Sequence, residues 1–349
     1  MPKRIVYIDA LRGLAILLVV SVHIEGFSLY VEEFHISFFR RLCEAIMMPL
    51  FFFISGYVAN IPSCKSLIKN SLRLIIPALI LGIIYSISIN KGIYSFITNI
   101  YKYGYWFTIT LCWMYSILFC IGKLIKKSEI QFVGLILISV LLYFIKIPFN
   151  NVQNLMEIGN TLCLHQLFIY FHYFSIGYIF ARSNNRFYTV FCSEFGIIFS
   201  LFVFACAIYI KHVYTDEQLA TSILLKIYRA IQDPILGYSG IMILFRFFKS
   251  MEFFFVNLFL GKTLCYVGKH TLEIYLLHYF FLPKLPMIGS YLVYYPNIIL
   301  ELLVCMLLSV SLICISLVVG WFIRSNEILG VFLLGCKPLR NNVKREVIE

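Results

Sequence analysis

Apolar runs of roughly twenty residues recur along the whole chain, separated by short polar links. A helix of about 20 apolar residues is long enough to cross the hydrocarbon core of a bilayer. The composition agrees, because 61% of the 349 residues are hydrophobic and 13% are charged. Soluble domains carry about 25% charged residues. The sequence therefore predicts an all-α integral membrane protein.

We predict about ten transmembrane helices, each of roughly 17–25 residues. The segment 90–104 is predicted to lie at the interface, and the apolar segment 249–268 to be interfacial or re-entrant. We interpret 1–349 as a single membrane domain with a core at about 5–325 and a basic cytoplasmic tail at 326–349. The predicted spans are 5–28, 38–60, 67–89, 105–123, 129–146, 161–182, 188–210, 224–246, 269–287 and 297–323.

The positive charges are unevenly divided between the predicted links. The net charge is +12, and Lys and Arg are roughly twice as frequent on the side of the N-terminus as on the other side. Because cytoplasmic loops attract these residues, we predict that both termini are cytoplasmic. Topology explains the charge, so the sequence does not point to a nucleic-acid partner.

The first predicted span carries Arg12 and His23, which are eleven residues apart. That spacing is about three helical turns, so the two side chains share a face about 16 Å apart along the axis. An ionisable residue inside a span is a functional hypothesis by default. The alternatives are an interfacial Arg12 paired with Asp9, and a His23 that only makes a packing hydrogen bond.

A second cationic feature begins the third span, where Lys65, Lys69 and Arg73 follow one another at intervals of four residues. This spacing places them on one helix face. The stripe is either positive-inside anchoring or an anion site for phosphates, which the forked Arg side chain suits.

The remaining candidates are less specific. Glu273 and His278 lie about 140° apart on the ninth span, so we expect each to face a neighbour or a cavity rather than the other. His165 and His172 share a face that we assign to packing or hydrogen bonding, and Trp106 is an expected interfacial aromatic residue. No Cys or His spacing fits a metal site.

Several segments resemble the membrane acyltransferase-3 family, and the likeness runs from about residue 5 to 325. In the first span the family has an Arg and a His with ten residues between them, as Arg12 and His23 are here. Other motifs resemble those of the family and follow in the expected order: Met48–Tyr57, Ser71–Pro77, Tyr105–Phe107, Tyr173–Tyr178 and Ile274–His278.

The resemblance implies ten helices and the transfer of an acyl group, usually acetyl from acetyl-CoA, to a sugar hydroxyl of a surface or secreted glycan. The implied location is the bacterial cytoplasmic membrane. Some relatives carry an added extracytoplasmic hydrolase-like domain, which this sequence lacks. We therefore expect the membrane unit to act alone or with a partner, either a second copy or envelope-glycan assembly proteins.

Two positions depart from the family pattern. The family often has Arg-x-x-Arg at the start of the third helix, where this chain has Asn70-Ser-Leu-Arg73. Lys69 substitutes for the missing first arginine, but with a point charge instead of a forked guanidinium. His172 stands where relatives often have Pro.

The resulting hypothesis is an acyltransferase in which Arg12, Arg73 and Lys69 bind acyl-CoA. His23 is the catalytic residue with Arg12, either as general base or as covalent acyl carrier. Further candidates are Glu273, Tyr275, His278 and Trp106, and no metal is predicted. The alternatives are an exporter of a glycan or lipid-linked precursor on the same fold, and an assembly partner whose ionisable residues are structural.

Overall fold

The computed structural model describes residues 5–30, 37–183, 189, 193–213 and 223–336. Within these ranges the chain forms helices and no strands, which confirms the predicted all-α class. The helices are α1 Val6–Ile24, α2 Phe38–Val58, α3 Cys64–Ser88, α4 Gly92–Thr98, α5 Trp106–Leu124, α6 Ser128–Asn151, α7 Gln153–Leu162, α8 Leu164–Phe180, α9 Glu194–Val213, α10 Ile223–Ser250, α11 Glu252–Asn257, α12 Phe259–Lys269, α13 Thr271–Leu277, α14 Pro286–Tyr294, α15 Ile298–Ser325 and α16 Glu327–Leu334.

The first helix occupies the centre of the bundle. A π-helical turn, Glu25–Leu29, extends α1. In the most apolar 18-residue stretch of this extended helix 72% is buried, whereas the corresponding stretch of α9 is 11% buried. It contacts α2, α10, α12 and α15. Peripheral helices such as α9 expose apolar side chains, as expected where lipid covers them.

Two glycines let α12 lie directly against α1. A Cβ added to Gly13 would clash with the Leu264 carbonyl, and one added to Gly268 would clash with the Asp9 carbonyl. Small residues allow this close approach of helix backbones in membrane proteins. Residues 249–268, predicted to be interfacial or re-entrant, contain α11 and nearly all of α12. Of these two helices, α12 packs closely on the central helix α1.

The predicted ninth span is not one helix. The segment 269–287 contains α13, a 3₁₀ turn at His278–Phe281 and a non-helical stretch before α14. Pro283 explains the break, because the residue before a proline is driven out of the α region and proline offers no amide donor. The prediction of a continuous helix was therefore wrong.

Seven helices of the described ranges are long and apolar enough to cross a membrane: α1 with its π-helical turn, α2, α3, α5, the first 19 residues of α6, α9 and α15. The count of about ten spans and the cytoplasmic location of both termini stay predictions. The segment predicted to be a basic tail begins with a helix, α16, which the Asn326 side chain caps by accepting from two backbone amides. Residues 337–349 lie outside the described ranges.

Candidate active site

A cavity of about 1400 Å³ runs through the bundle. Its lining follows α2 from Arg40 to Val58, which is about 27 Å at 1.5 Å per residue. We name its two ends after an arginine at each. The Arg73 end is lined by Arg12, Ser63, Ser66, Asn70, Arg73 and Gly335, and the Arg40 end by Arg40, Glu44, Asn99, Lys146, Lys211 and Asp233.

His23 lines this cavity towards the Arg40 end, and both of its ring nitrogens are hydrogen-bonded. Nδ1 lies 2.9 Å from Nε2 of His278, and Nε2 lies 3.1 Å from the hydroxyl of Tyr279. On the far side, His278 Nδ1 lies 2.9 Å from the carbonyl oxygen of Ile274. The three contacts form a chain from the backbone to the cavity.

The order of donors in this chain follows from the Ile274 carbonyl, which only accepts. Nδ1 of His278 must therefore carry a hydrogen, and Nε2 of a neutral His278 must accept. His23 then donates through Nδ1, which leaves the lone pair on Nε2. The base-competent nitrogen of His23 is thus Nε2, to which the hydroxyl of Tyr279, another lining residue of the cavity, donates.

His278 is fully buried and its ring stacks on that of His23, with centroids 5.1 Å apart and an interplanar angle of 10°. It lies where α13 gives way to the 3₁₀ turn. The sequence singled out both histidines but did not pair them, because they are 255 positions apart. No local pattern encodes that contact.

The Arg40 end contains a residue that sequence reasoning missed. Arg40 Nε donates to Glu44 Oε1 at 2.8 Å, one turn along α2. Its guanidinium lies over Gly26 in the π-helical turn that follows His23. The spacing of four residues between Arg40 and Glu44 was the available signal. π-Helical turns are frequent at functional sites, which agrees with this position.

At the Arg73 end, two arginines stand among small polar side chains. Arg12 makes a long contact of 3.9 Å with Asp9, as the sequence allowed. Arg73 donates through Nε to the Gly335 carbonyl at 2.8 Å. Among the described lining residues, the carboxylates are Glu44 and Asp233 and both lie at the opposite end. The Arg73 end is therefore suited to an anionic ligand.

The other predicted residues divide between the cavity and the surrounding protein. Trp106 lines the cavity and stacks on Tyr170 with ring centroids 5.6 Å apart. Tyr275 also lines it and donates to the Gly104 carbonyl at 2.7 Å. Lys69 is exposed and does not line the cavity.

Glu273 lies outside the cavity lining and ties two helices together. Its Oε1 accepts from Arg324 at 2.9 Å and lies 3.3 Å from His270. His172, assigned to packing or hydrogen bonding, bonds the Tyr238 hydroxyl at 2.8 Å and also lines the cavity. Within the described ranges, no three His, Cys, Asp or Glu side chains converge as a metal site would require.

The family follows from a comparison with family models. The acyltransferase-3 model, described as an acyltransferase domain, matches residues 5–323, which is nearly the whole chain. The chain belongs to the acyltransferase-3 family. No curated protein and no solved structure matches it significantly. The resemblance seen in the sequence is confirmed, and this acyltransferase-3 protein is a multi-pass membrane acyltransferase.

Proposed function

We propose that the protein transfers acetyl from acetyl-CoA to a sugar hydroxyl of a cell-surface or secreted glycan, in the bacterial cytoplasmic membrane. The family supports acyl transfer. The observation that carries this more specific proposal is one cavity with the lone pair of His23 between two unlike ends: arginines with no carboxylate among the described lining residues at the Arg73 end, and cations accompanied by carboxylates at the Arg40 end. Such an arrangement fits a phosphate-bearing donor and a hydroxyl acceptor that enter from opposite sides.

The donor enters at the Arg73 end. Arg12 and Arg73 bind the phosphate oxygens of CoA, which guanidinium groups hold by charge-assisted hydrogen bonds. The pantetheine arm then runs beside α1 and carries the thioester over the roughly 16 Å that separate Arg12 from His23. Lys69, exposed near the mouth, adds a point charge there.

The acceptor enters at the Arg40 end, where Glu44, Asn99 and Asp233 offer partners for sugar hydroxyls. One hydroxyl displaces Tyr279 from Nε2 of His23. Its oxygen attacks the thioester carbonyl carbon while Nε2 takes its proton. When the tetrahedral intermediate breaks its C–S bond, the proton passes to the sulfur of the leaving CoA. An acyl group carried on Nε2 itself is the second route, and it uses the same nitrogen.

The test is His23→Ala in the purified full-length protein, with the release of CoA and the label transferred from acetyl-CoA to glycan as readouts. Loss of a general base lowers the rate by roughly 10²- to 10⁴-fold. His165→Ala is the matched control, because His165 does not line the cavity. Full activity of His23→Ala would contradict the proposal.

The exporter alternative is favoured by one observation, the extent of the cavity along almost the whole of α2. Movement of glycan without transfer of label would support it. Tolerance of substitutions at both Arg12 and His23 would instead indicate a structural partner in glycan assembly.

A further inference from the structure

The rim of the Arg73 end is formed partly by the end of α16. Gly335 lines the cavity directly after this helix, and its carbonyl accepts from Arg73 Nε at 2.8 Å. The bond joins residues 262 positions apart. It occupies one donor of the guanidinium and leaves the two Nη nitrogens for other partners.

Only glycine fits at this position. Gly335 has φ of 64° and ψ of 26°, the left-handed conformation in which other residues are strained. A Cβ would also clash with the backbone carbonyl oxygen of Arg73. A side chain at 335 therefore moves the chain away from α3 and takes with it the carbonyl that holds the guanidinium.

The helix that presents Gly335 is itself anchored. Asn326 caps its start. Arg324, at the end of the preceding helix, donates to Glu273 of α13. The same α13 supplies the Ile274 carbonyl that fixes His278. The Arg73 end and the histidine pair are thus both linked to α13 by hydrogen bonds. The buried Glu273 therefore has a structural role, because it holds α13 to Arg324.

We propose that Gly335 is a positioning residue for the acyl donor: its carbonyl fixes Arg73 so that both Nη nitrogens face the donor's phosphates at the mouth of the cavity. An arginine held in this way loses less conformational freedom on binding than a free one. This inference rests on the proposed function, since it assumes a phosphate-bearing donor.

The test compares Gly335→Ala with Gly330→Ala in the purified full-length protein. Gly330 lies in the same helix, and an added Cβ there meets ordinary contacts at 3.6 Å or beyond. We expect Gly335→Ala to raise the KM for acetyl-CoA by roughly tenfold, the size expected for a lost charge-assisted hydrogen-bond arrangement. We expect unchanged kcat, and Gly330→Ala should match the wild type.

A double-mutant cycle adds a readout that general destabilisation does not mimic. Arg73→Lys removes the fork, so Gly335→Ala should have little further effect on KM in that background. Additive effects, an equal loss in Gly330→Ala, or a wild-type KM in Gly335→Ala would each overturn the inference.

Calorimetric titration with CoA separates this inference from the proposed function. If the wild type binds CoA but does not turn over acetyl-CoA, the proposed function fails. In that case, weaker binding of CoA by Gly335→Ala than by the wild type still supports the inference. If the wild type does not bind CoA, both fail.

Discussion

The chemistry of His23 depends on its neighbours as much as on its own ring. The Ile274 carbonyl sets the tautomer of His278, and His278 sets that of His23. The lone pair is thereby fixed on Nε2, the nitrogen that contacts Tyr279. A histidine held in this way does not need to rotate before it accepts a proton, which is the advantage of a preorganised base.

We predict that His278→Ala lowers kcat by roughly 5- to 100-fold, because it leaves His23 Nδ1 without an acceptor in a buried place. The KM for acetyl-CoA should change little. The substitution also opens a ring-sized space, so added imidazole should restore part of the activity. The measurement is the rate of CoA release with and without imidazole.

His172→Ala is the control for this prediction, because His172 lines the cavity, as His23 does, but bonds Tyr238 instead of His23. Imidazole should not rescue any loss in that variant. An unchanged kcat in His278→Ala would show that His278 only fills space.

At this scale the sequence placed residues on helix faces but did not predict the contacts between distant segments. The helical repeat placed Arg12 and His23 on one face, and both line the same cavity. It could not pair His23 with His278, nor Arg73 with Gly335, because these contacts join distant segments and are set by how the helices pack. Arg40 was not predicted as a site residue, because its positive charge was attributed to the membrane topology.

At the scale of elements, the contact between α1 and α12 controls where His23 and Arg12 lie. The two helices touch backbone to backbone at Gly13 and Gly268. The apolar pattern predicted α1 and most other spans, since hydropathy and length depend on local sequence. It did not predict α12 as a partner of α1, because a short helix interrupted by glycine and lysine has no clear spanning signal.

We predict that Gly268→Ala destabilises the protein. Alanine gains up to about 1 kcal/mol over glycine in helix propensity. The added Cβ would meet the Asp9 carbonyl, and overpacking of this kind costs about 1–3 kcal/mol, so the clash outweighs the gain. The measurement is the midpoint of thermal unfolding in detergent.

Gly134→Ala is the matched control, because its Cβ would meet only the end of the Ile125 side chain at 3.4 Å. Its midpoint should stay the same or rise slightly. If Gly268→Ala had the same unfolding midpoint as Gly134→Ala, that result would contradict the close packing of α12 on α1.

At the scale of the whole molecule, the cavity runs along almost the full length of a spanning helix. Donor and acceptor can therefore approach His23 from opposite ends without exchanging places. Two separate ends suit the proposed reaction between a CoA ester and a glycan on different sides of a membrane. The family match supports the acyl transfer, and the sidedness rests on the distribution of positive charge.

We predict that the Arg73 end faces the cytoplasm. In a variant without the native cysteines, Ser63→Cys should react with a membrane-impermeant maleimide in inverted vesicles and not in intact cells. Asn99→Cys, at the Arg40 end, should show the opposite pattern. The same side for both, or a reversal, would contradict the predicted topology.

The π-helical turn after His23 has a consequence for how this family varies. In it the Tyr30 amide bonds the Glu25 carbonyl, five residues back, instead of the four of an α-helix. Such a turn holds one surplus residue. A lineage can gain or lose that residue here without altering the spacing of Arg12 and His23, which lie upstream. In an alignment of relatives, we therefore expect a single-residue gap at 25–29, while the segment from Arg12 to His23 keeps a constant length.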